Sequence, residues 1–111
     1  MENHRRNSVI GSRTAPFVNE LVRRCGTLDR YASVGSPSLP NYLGATAGST
    51  FGVSDDAGPS SHPITADNLF RQVRANGGTA KSYQESMPTN CALSGKGTYA
   101  VKHNPAAYYM G

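Results

Sequence analysis

Ser38 is the residue whose surroundings most suggest chemistry. It lies in the stretch Gly35–Gly48, GSPSLPNYLGATAG, and is followed by Leu39-Pro40-Asn41-Tyr42. Pro40 suits the first turn of a helix, where its missing N–H costs nothing. That places Ser38 at or beside the N-cap, the usual seat of a serine. A hydroxyl there faces the unpaired N–H groups and the positive dipole end of the helix, where a phosphate would bind. The local pattern alone favours a plain capping role, because caps are common and nucleophiles are rare. Asp55 and Asp56 form a second polar pair that resembles a paired-carboxylate site. Aspartates among Gly and Ser more often close Asx-turns, so neither is assigned to catalysis. Cys25 and Cys91 lack the spacing of a zinc site. They permit one disulfide in an oxidising compartment, and the spacing leaves their pairing open. Cys25 is expected to be a buried helix residue.

The elements that must carry these groups are short. Met1-Glu2-Asn3-His4-Arg5 begins the chain without an anchoring element, and Asn7–Arg13 reads as a loop. From Ala15 the apolar residues Phe17, Val18, Leu21 and Val22 recur at helical spacing. Thr14 is a fair N-cap, Pro16 suits the first turn and Gly26 the stop, which predicts a helix over Ala15–Cys25. Thr27–Val34 alternates loosely and reads as a strand leading into the Ser38 turn and its helix. Ser49–Pro63 is a long polar connection. Thr65 is expected to cap a further helix with Leu69, Phe70 and Val73 on one face, ended by Gly77-Gly78. Thr79–Glu85 reads as a strand, and Ser86–Gly111 as irregular chain broken by Pro88, Gly95, Gly97 and Pro105. The order helix, strand, turn, helix is that of an α/β protein, in which ligands collect at strand carboxyl ends. The sheet such helices would cover has too few strands.

The 111 residues allow at most one small domain, and with 12 Gly and 7 Pro the chain is rich in loops. Hydrophobic residues make up 37%, so a large independent core is not expected. The 11 Lys and Arg exceed the 7 Asp and Glu, but they are dispersed and form no stripe that would indicate nucleic acid. A mildly cationic surface suits a phosphate-bearing substrate. No apolar run is long enough to span a membrane, and no apolar core of a signal peptide follows Met1.

An ordered set of short motifs runs along the whole chain. It comprises Met1-Glu2-Asn3, Pro37-Ser38-Leu39-Pro40-Asn41-Tyr42, Gly48-Ser49-Thr50-Phe51-Gly52, Ser54-Asp55-Asp56, Glu85-Ser86-Met87-Pro88 and Lys102-His103-Asn104-Pro105. Together they resemble the phosphoesterase family of the alkaline phosphatase superfamily. That family holds bacterial acid phosphatases, phosphatidylinositol-phosphate phosphatases and non-specific phospholipases C, and the details here sit closer to the phosphatase branch. The resemblance implies an α/β fold, an α/β/α sandwich of alkaline-phosphatase-like type present here in part, with divalent metal ions at the strand ends. It implies that Glu2 and Asn3 are metal ligands. Both are hard oxygen donors suited to Ca, Mg or Mn, and the carboxylate also serves Zn; without the resemblance they would read as a solvated terminus. It places the family's hydroxyl nucleophile at Ser38, activated by metal and working through a phosphoserine intermediate. Asn41 would either contact a phosphate oxygen or be an ordinary polar helix residue. His103 would line the pocket as donor or proton carrier, its alternative being a surface hydrogen bonder.

The departures are equally specific. Family members carry an apolar strand before the Met-Glu-Asn motif, and their later Asp and His ligands follow the His-Asn-Pro motif. The resemblance therefore leads us to expect residues 1–111 to be a single partial domain, the N-terminal half of a catalytic domain, inactive by itself. The substrate expected for the parent enzyme is a phosphate monoester, with phospholipids and phosphoinositides in range. Phospholipase C-type diester cleavage is the alternative in the same fold, and a binding module without chemistry is the alternative outside it. Neither nucleic acid nor a transmembrane segment is expected.

Overall fold

The computed structural model describes residues 4–111. The chain divides into two compact units, Met1–Ala32 and Ser33–Gly111.

The first unit holds two helices. Arg6–Val9 (α1) is a single turn where the sequence suggested only loop. Pro16–Cys25 (α2) agrees closely with expectation: Pro16 opens it, and Gly26 closes it at φ +84°, a left-handed angle that favours glycine. Its N-cap is Ala15 rather than Thr14. Thr14 instead exchanges a hydrogen bond with the Ser12 hydroxyl at 2.8 Å. The loop before α2 is tied down by Asn19, which accepts from the Gly11 N–H and donates to the Ser12 carbonyl, both at 2.7 Å. Arg6 reaches Asp29 at 2.7 Å, and Glu20 pairs with Arg23 one turn on. No residue of α2 is buried, and Phe17 is 71% exposed. Cys25 is therefore exposed as well, against the expectation that it would be buried, and both cysteines are free thiols.

The second unit is organised around Leu39–Ala47 (α3). Leu39 and Leu43, one turn apart, point to the same side and are fully buried. They form a core with Val53, Ile64 and Tyr108, flanked by Ala107 and Tyr109. Gly48 ends α3 at φ +71°, and its N–H returns to the Gly44 carbonyl. Leu69–Ala75 (α4) follows. Its cap is Asn68, not Thr65: Asn68 is extended, and its side chain accepts the Arg71 N–H at 3.0 Å. Two 3-10 turns, Val101–His103 and Pro105–Ala107, close the unit against α3.

The expected strands do not form. Thr27–Val34 and Thr79–Glu85 are coil and turn, and the described residues contain only two isolated bridges, Ile64 with Tyr109 and Lys96 with Tyr99. A strand exists only when a neighbour takes its N–H and C=O groups, and no ladder runs beside either segment. The 79–85 segment is held by side chains instead: Gln84 donates to Ser82 at 2.8 Å, and Ser82 to Asn104 at 3.1 Å. Asn104, buried, then donates to the Tyr99 hydroxyl at 3.0 Å, which donates to the Ala92 carbonyl at 2.9 Å. The described residues are thus helical and irregular, without the sheet of an α/β sandwich.

Candidate active site

Ser38 occupies the N-cap position of α3, as its neighbours required, but its hydroxyl does not cap the helix. The reason is conformational. A capping serine is normally extended, so that its oxygen swings back over the second and third N–H groups. Ser38 is already helical, at φ −70° and ψ −47°, which turns the side chain away from that position.

Asp56 takes over the capping. Its Oδ1 accepts the Leu39 N–H at 3.0 Å, and the Ser38 N–H also bonds this carboxylate. Its Oδ2 accepts from Lys102 Nζ at 2.6 Å. Burial works against the charge on Asp56. The Lys102 hydrogen bond and charge, with the two N–H groups, outweigh it and hold the carboxyl below its ordinary value. A carboxylate thus sits at the positive end of α3, the kind of place that also receives phosphate. Asp55, its neighbour, does close the Asx-turn expected of it, accepting the Ala57 N–H at 2.8 Å. The same oxygen meets His62 Nε2 at 2.6 Å. The Ala57 N–H, then His62, keep Asp55 below its ordinary value against a small opposing effect of burial.

Asn41 turns back onto the loop that carries Ser38. Its Nδ2 donates to the Gly35 and Pro37 carbonyls, both at 2.9 Å, with a long 3.5 Å contact to the Ser38 carbonyl. Its Oδ1 accepts the Gly35 N–H at 3.2 Å. Both ends of the amide are therefore engaged with backbone, and the Gly35–Ser38 turn is pinned from within α3. His103 lies in the 3-10 turn after Ala100, and its ring stacks on Tyr42 with centroids 5.3 Å apart and planes at 28°. Ser38, Asn41, Tyr42 and His103 thus gather at one end of α3. Glu2 and Asn3 lie outside the described residues. Among the described residues no three His, Cys, Asp or Glu side chains form a group that could hold a metal ion.

Two tyrosines pack in and against the core that α3 organises. Tyr108 is fully buried and donates to the Ala57 carbonyl at 3.0 Å. Burial first, then the negative charges of Asp56 and the neighbouring groups, push its phenol up to about 12. Tyr109 meets the Thr46 hydroxyl at 2.6 Å, and Thr46 donates to the Tyr42 carbonyl at 2.8 Å. With its single hydrogen so used, Thr46 is the acceptor and Tyr109 the donor.

Sequence reasoning had missed the roles of Asp56 and Lys102. Asp56 stands 17 residues after Leu39 and Lys102 a further 46 on, and no local spacing rule connects such positions. The available signal was their place in the motifs Ser54-Asp55-Asp56 and Lys102-His103-Asn104-Pro105, which does not state that they meet.

A phosphatidylinositol-3-phosphatase of Mycobacterium tuberculosis (strain ATCC 25618 / H37Rv) is 31% identical over 105 residues, covering 94% of this chain and 35% of its own. A phosphate-repressible acid phosphatase of Penicillium chrysogenum is 33% identical over 101 residues, covering 83% of this chain and 24% of its own. The chain therefore spans about a third and a quarter of the length of these two relatives. No solved structure matches it significantly. A model of the phosphoesterase family matches residues 4–110, and the chain belongs to that family.

Proposed function

We propose that this chain carries the nucleophile segment of a phosphate-monoester hydrolase. The observation that carries the reading is Ser38 at the N-terminus of α3, in a turn pinned by Asn41 and beside the Tyr42–His103 stack. Family membership and the phosphatase names of two relatives support it. In the first step Ser38 Oγ gives up its proton and attacks phosphorus, the bond from phosphorus to the ester oxygen breaks, and the leaving alkoxide takes up a proton. In the second, water attacks the phosphoserine, the bond from phosphorus to Ser38 Oγ breaks, a proton of the water returns to Oγ, and inorganic phosphate leaves. At the start of α3 the Ser38 and Leu39 N–H groups are held by Asp56, Pro40 has none and the Asn41 N–H bonds the Ser38 carbonyl, so charge on the phosphoryl oxygens falls to side-chain donors at this end of the helix. His103 is the proton carrier or phosphate donor there, and Asn41 holds the nucleophile's loop.

Glu2 and Asn3 would be the first ligands of a divalent ion, their oxygens suiting Ca, Mg or Mn and the carboxylate also Zn. The chemistry such an ion would supply there is activation of the hydroxyl and neutralisation of phosphate charge. The rest of an α/β/α sandwich, and any further ligands, would belong to a whole protein of its relatives' length. Among substrates, a phosphoinositide is drawn from the name of one relative, and a simple monoester from the other. Phospholipase C-type diester cleavage is the second reading within the family and is less well supported, because both of these relatives are named as phosphatases. The described residues include no helix long and apolar enough to cross a membrane.

The test, in a whole protein of the relatives' length that carries this segment, is phosphate release from p-nitrophenyl phosphate and from a phosphoinositide, with acid quenching and mass spectrometry to find the phosphorylated residue. The expected result is phosphate trapped on Ser38 and turnover abolished by Ser38→Ala. Turnover that survives Ser38→Ala, or phosphate trapped on another residue, overturns the assignment. Release of a diacylglycerol from a phosphodiester lipid instead would favour the second reading.

A further inference from the structure

We propose that the Asp56–Lys102 ion pair is a strut that sets Ser38 and His103 in register with each other. The inference rests on the reading of Ser38 as nucleophile only for its consequence in catalysis; the mechanical coupling stands on the geometry alone. Three separate pieces of chain meet at this pair. Asp56 comes from the polar loop after α3 and holds the first N–H groups of α3, those of Ser38 and Leu39. Lys102 comes from the 3-10 turn Val101–His103 and meets the other carboxylate oxygen at 2.6 Å. The next residue, His103, places its ring on Tyr42, one turn into α3. One carboxylate therefore links the backbone of Ser38 to the turn that presents His103. The pair is also partly shielded: the Asp56 side chain is 24% exposed and that of Lys102 36%. That raises its worth above that of a surface pair.

The surroundings are consistent with a strut rather than a casual contact. Asp56 uses both oxygens, one for helix N–H groups and one for the ammonium, which is a well-satisfied arrangement for a carboxylate. The turn bearing Lys102 is fixed on its far side, where buried Asn104 bonds Tyr99 and Ser82. Tyr108 supports the other flank by donating to the carbonyl of Ala57, the residue after Asp56. A shift of Asp56 is thus passed to Ser38 and His103 together. Asp56 and Lys102 are positioning residues, acting through others.

The experiment compares Asp56→Asn, Lys102→Met and the double variant in the full chain by NMR, with Asp55→Asn as a neighbouring-carboxylate control. Asp56→Asn keeps an oxygen for the Leu39 N–H and removes the charge. Amide exchange at Ser38 and Leu39 reports one end of the strut, and the ring resonances of His103, shifted by the Tyr42 ring, report the other. The expected result is that either single variant moves both readouts. Exchange at Leu39 should accelerate about 5- to 10-fold, the difference between a charged and a neutral hydrogen bond. The double variant should add little to the larger single effect, as coupled residues do. Asp55→Asn should leave both readouts in place. If Lys102→Met moves His103 but leaves Leu39 exchange unchanged, or if the two variants are additive, there is no strut. In a preparation with turnover, kcat should fall more than KM changes, by up to about 100-fold for a misplaced group. Loss of turnover in Ser38→Ala tests the nucleophile separately. A failed Ser38→Ala result with the NMR coupling intact removes only the catalytic reading, and the reverse outcome removes only the strut.

Discussion

Replacing Asn41 by alanine separates two roles that the residue type allows, and the structure sets the size of the effect. The Asn41 amide makes three hydrogen bonds of ordinary length to the Ser38 loop, at 2.9, 2.9 and 3.2 Å, and a fourth too long to count for much. A neutral hydrogen bond contributes about 0.5–1.5 kcal/mol net, so the three together are worth about 1.5–4.5 kcal/mol. Their partners at Gly35 and Pro37 are half-buried or exposed, so water partly replaces the lost amide and the lower half of that range applies. Asn41→Ala should therefore cost about 2 kcal/mol. The assay is urea unfolding followed by far-UV circular dichroism, reading the midpoint at unchanged slope. Asn41→Asp is the companion variant. It keeps the oxygen that accepts the Gly35 N–H but presents carboxylate oxygens to the Gly35 and Pro37 carbonyls, so it should cost at least as much. A residue whose main work is to contact phosphate would behave otherwise, leaving stability within about 0.5 kcal/mol and weakening only phosphate binding. That outcome would refute the argument that Asn41 pins the loop.

Other outcomes follow from the same contacts. Leu43→Ala removes a fully buried side chain from the small core and should cost about 2–5 kcal/mol, enough to threaten folding of so small a unit, as thermal unfolding would show. On raising the pH, the Tyr108 phenol should ionise late, near 12. Because its folded value lies near 12, above the 10.0 of a free phenol, its stabilising effect is complete below 10 and fades as pH rises through 12. Ultraviolet titration of tyrosinate checks this, and Tyr108→Phe should remove the step near 12. At the acid end the sign is opposite. Asp55 and Asp56 are held below their ordinary 3.8, so the stability they contribute is present above that pH and lost as pH falls through their folded values. Acid unfolding monitored by circular dichroism should therefore flatten in Asp56→Asn. An unchanged acid limb would show that its partners contribute nothing.

What could be read from the order of residues was whatever closes within a few positions. Pro16 and Gly26 bracket α2, and Pro40 and Gly48 bracket α3, because an α-helix makes its hydrogen bonds within the segment and its ends are marked by local backbone preference. The place of Ser38 at the start of α3 and the family itself were legible for the same reason, being carried by short contiguous motifs. Tertiary structure decided the rest. Strands at 27–34 and 79–85 depended on neighbours that neither segment has beside it, so alternating residues alone could not make them. Burial of Cys25 depended on what covers α2, which its own periodicity does not state. Thr65 had the right chemistry for a cap, but Asn68 had the right chemistry at the position where the helix begins. Ser38 had the right position, but its helical backbone handed the capping to Asp56. That exchange, and the Lys102 contact that completes it, joins residues far apart in the chain, where only the folded path of the backbone brings a carboxylate, an ammonium and a helix end together.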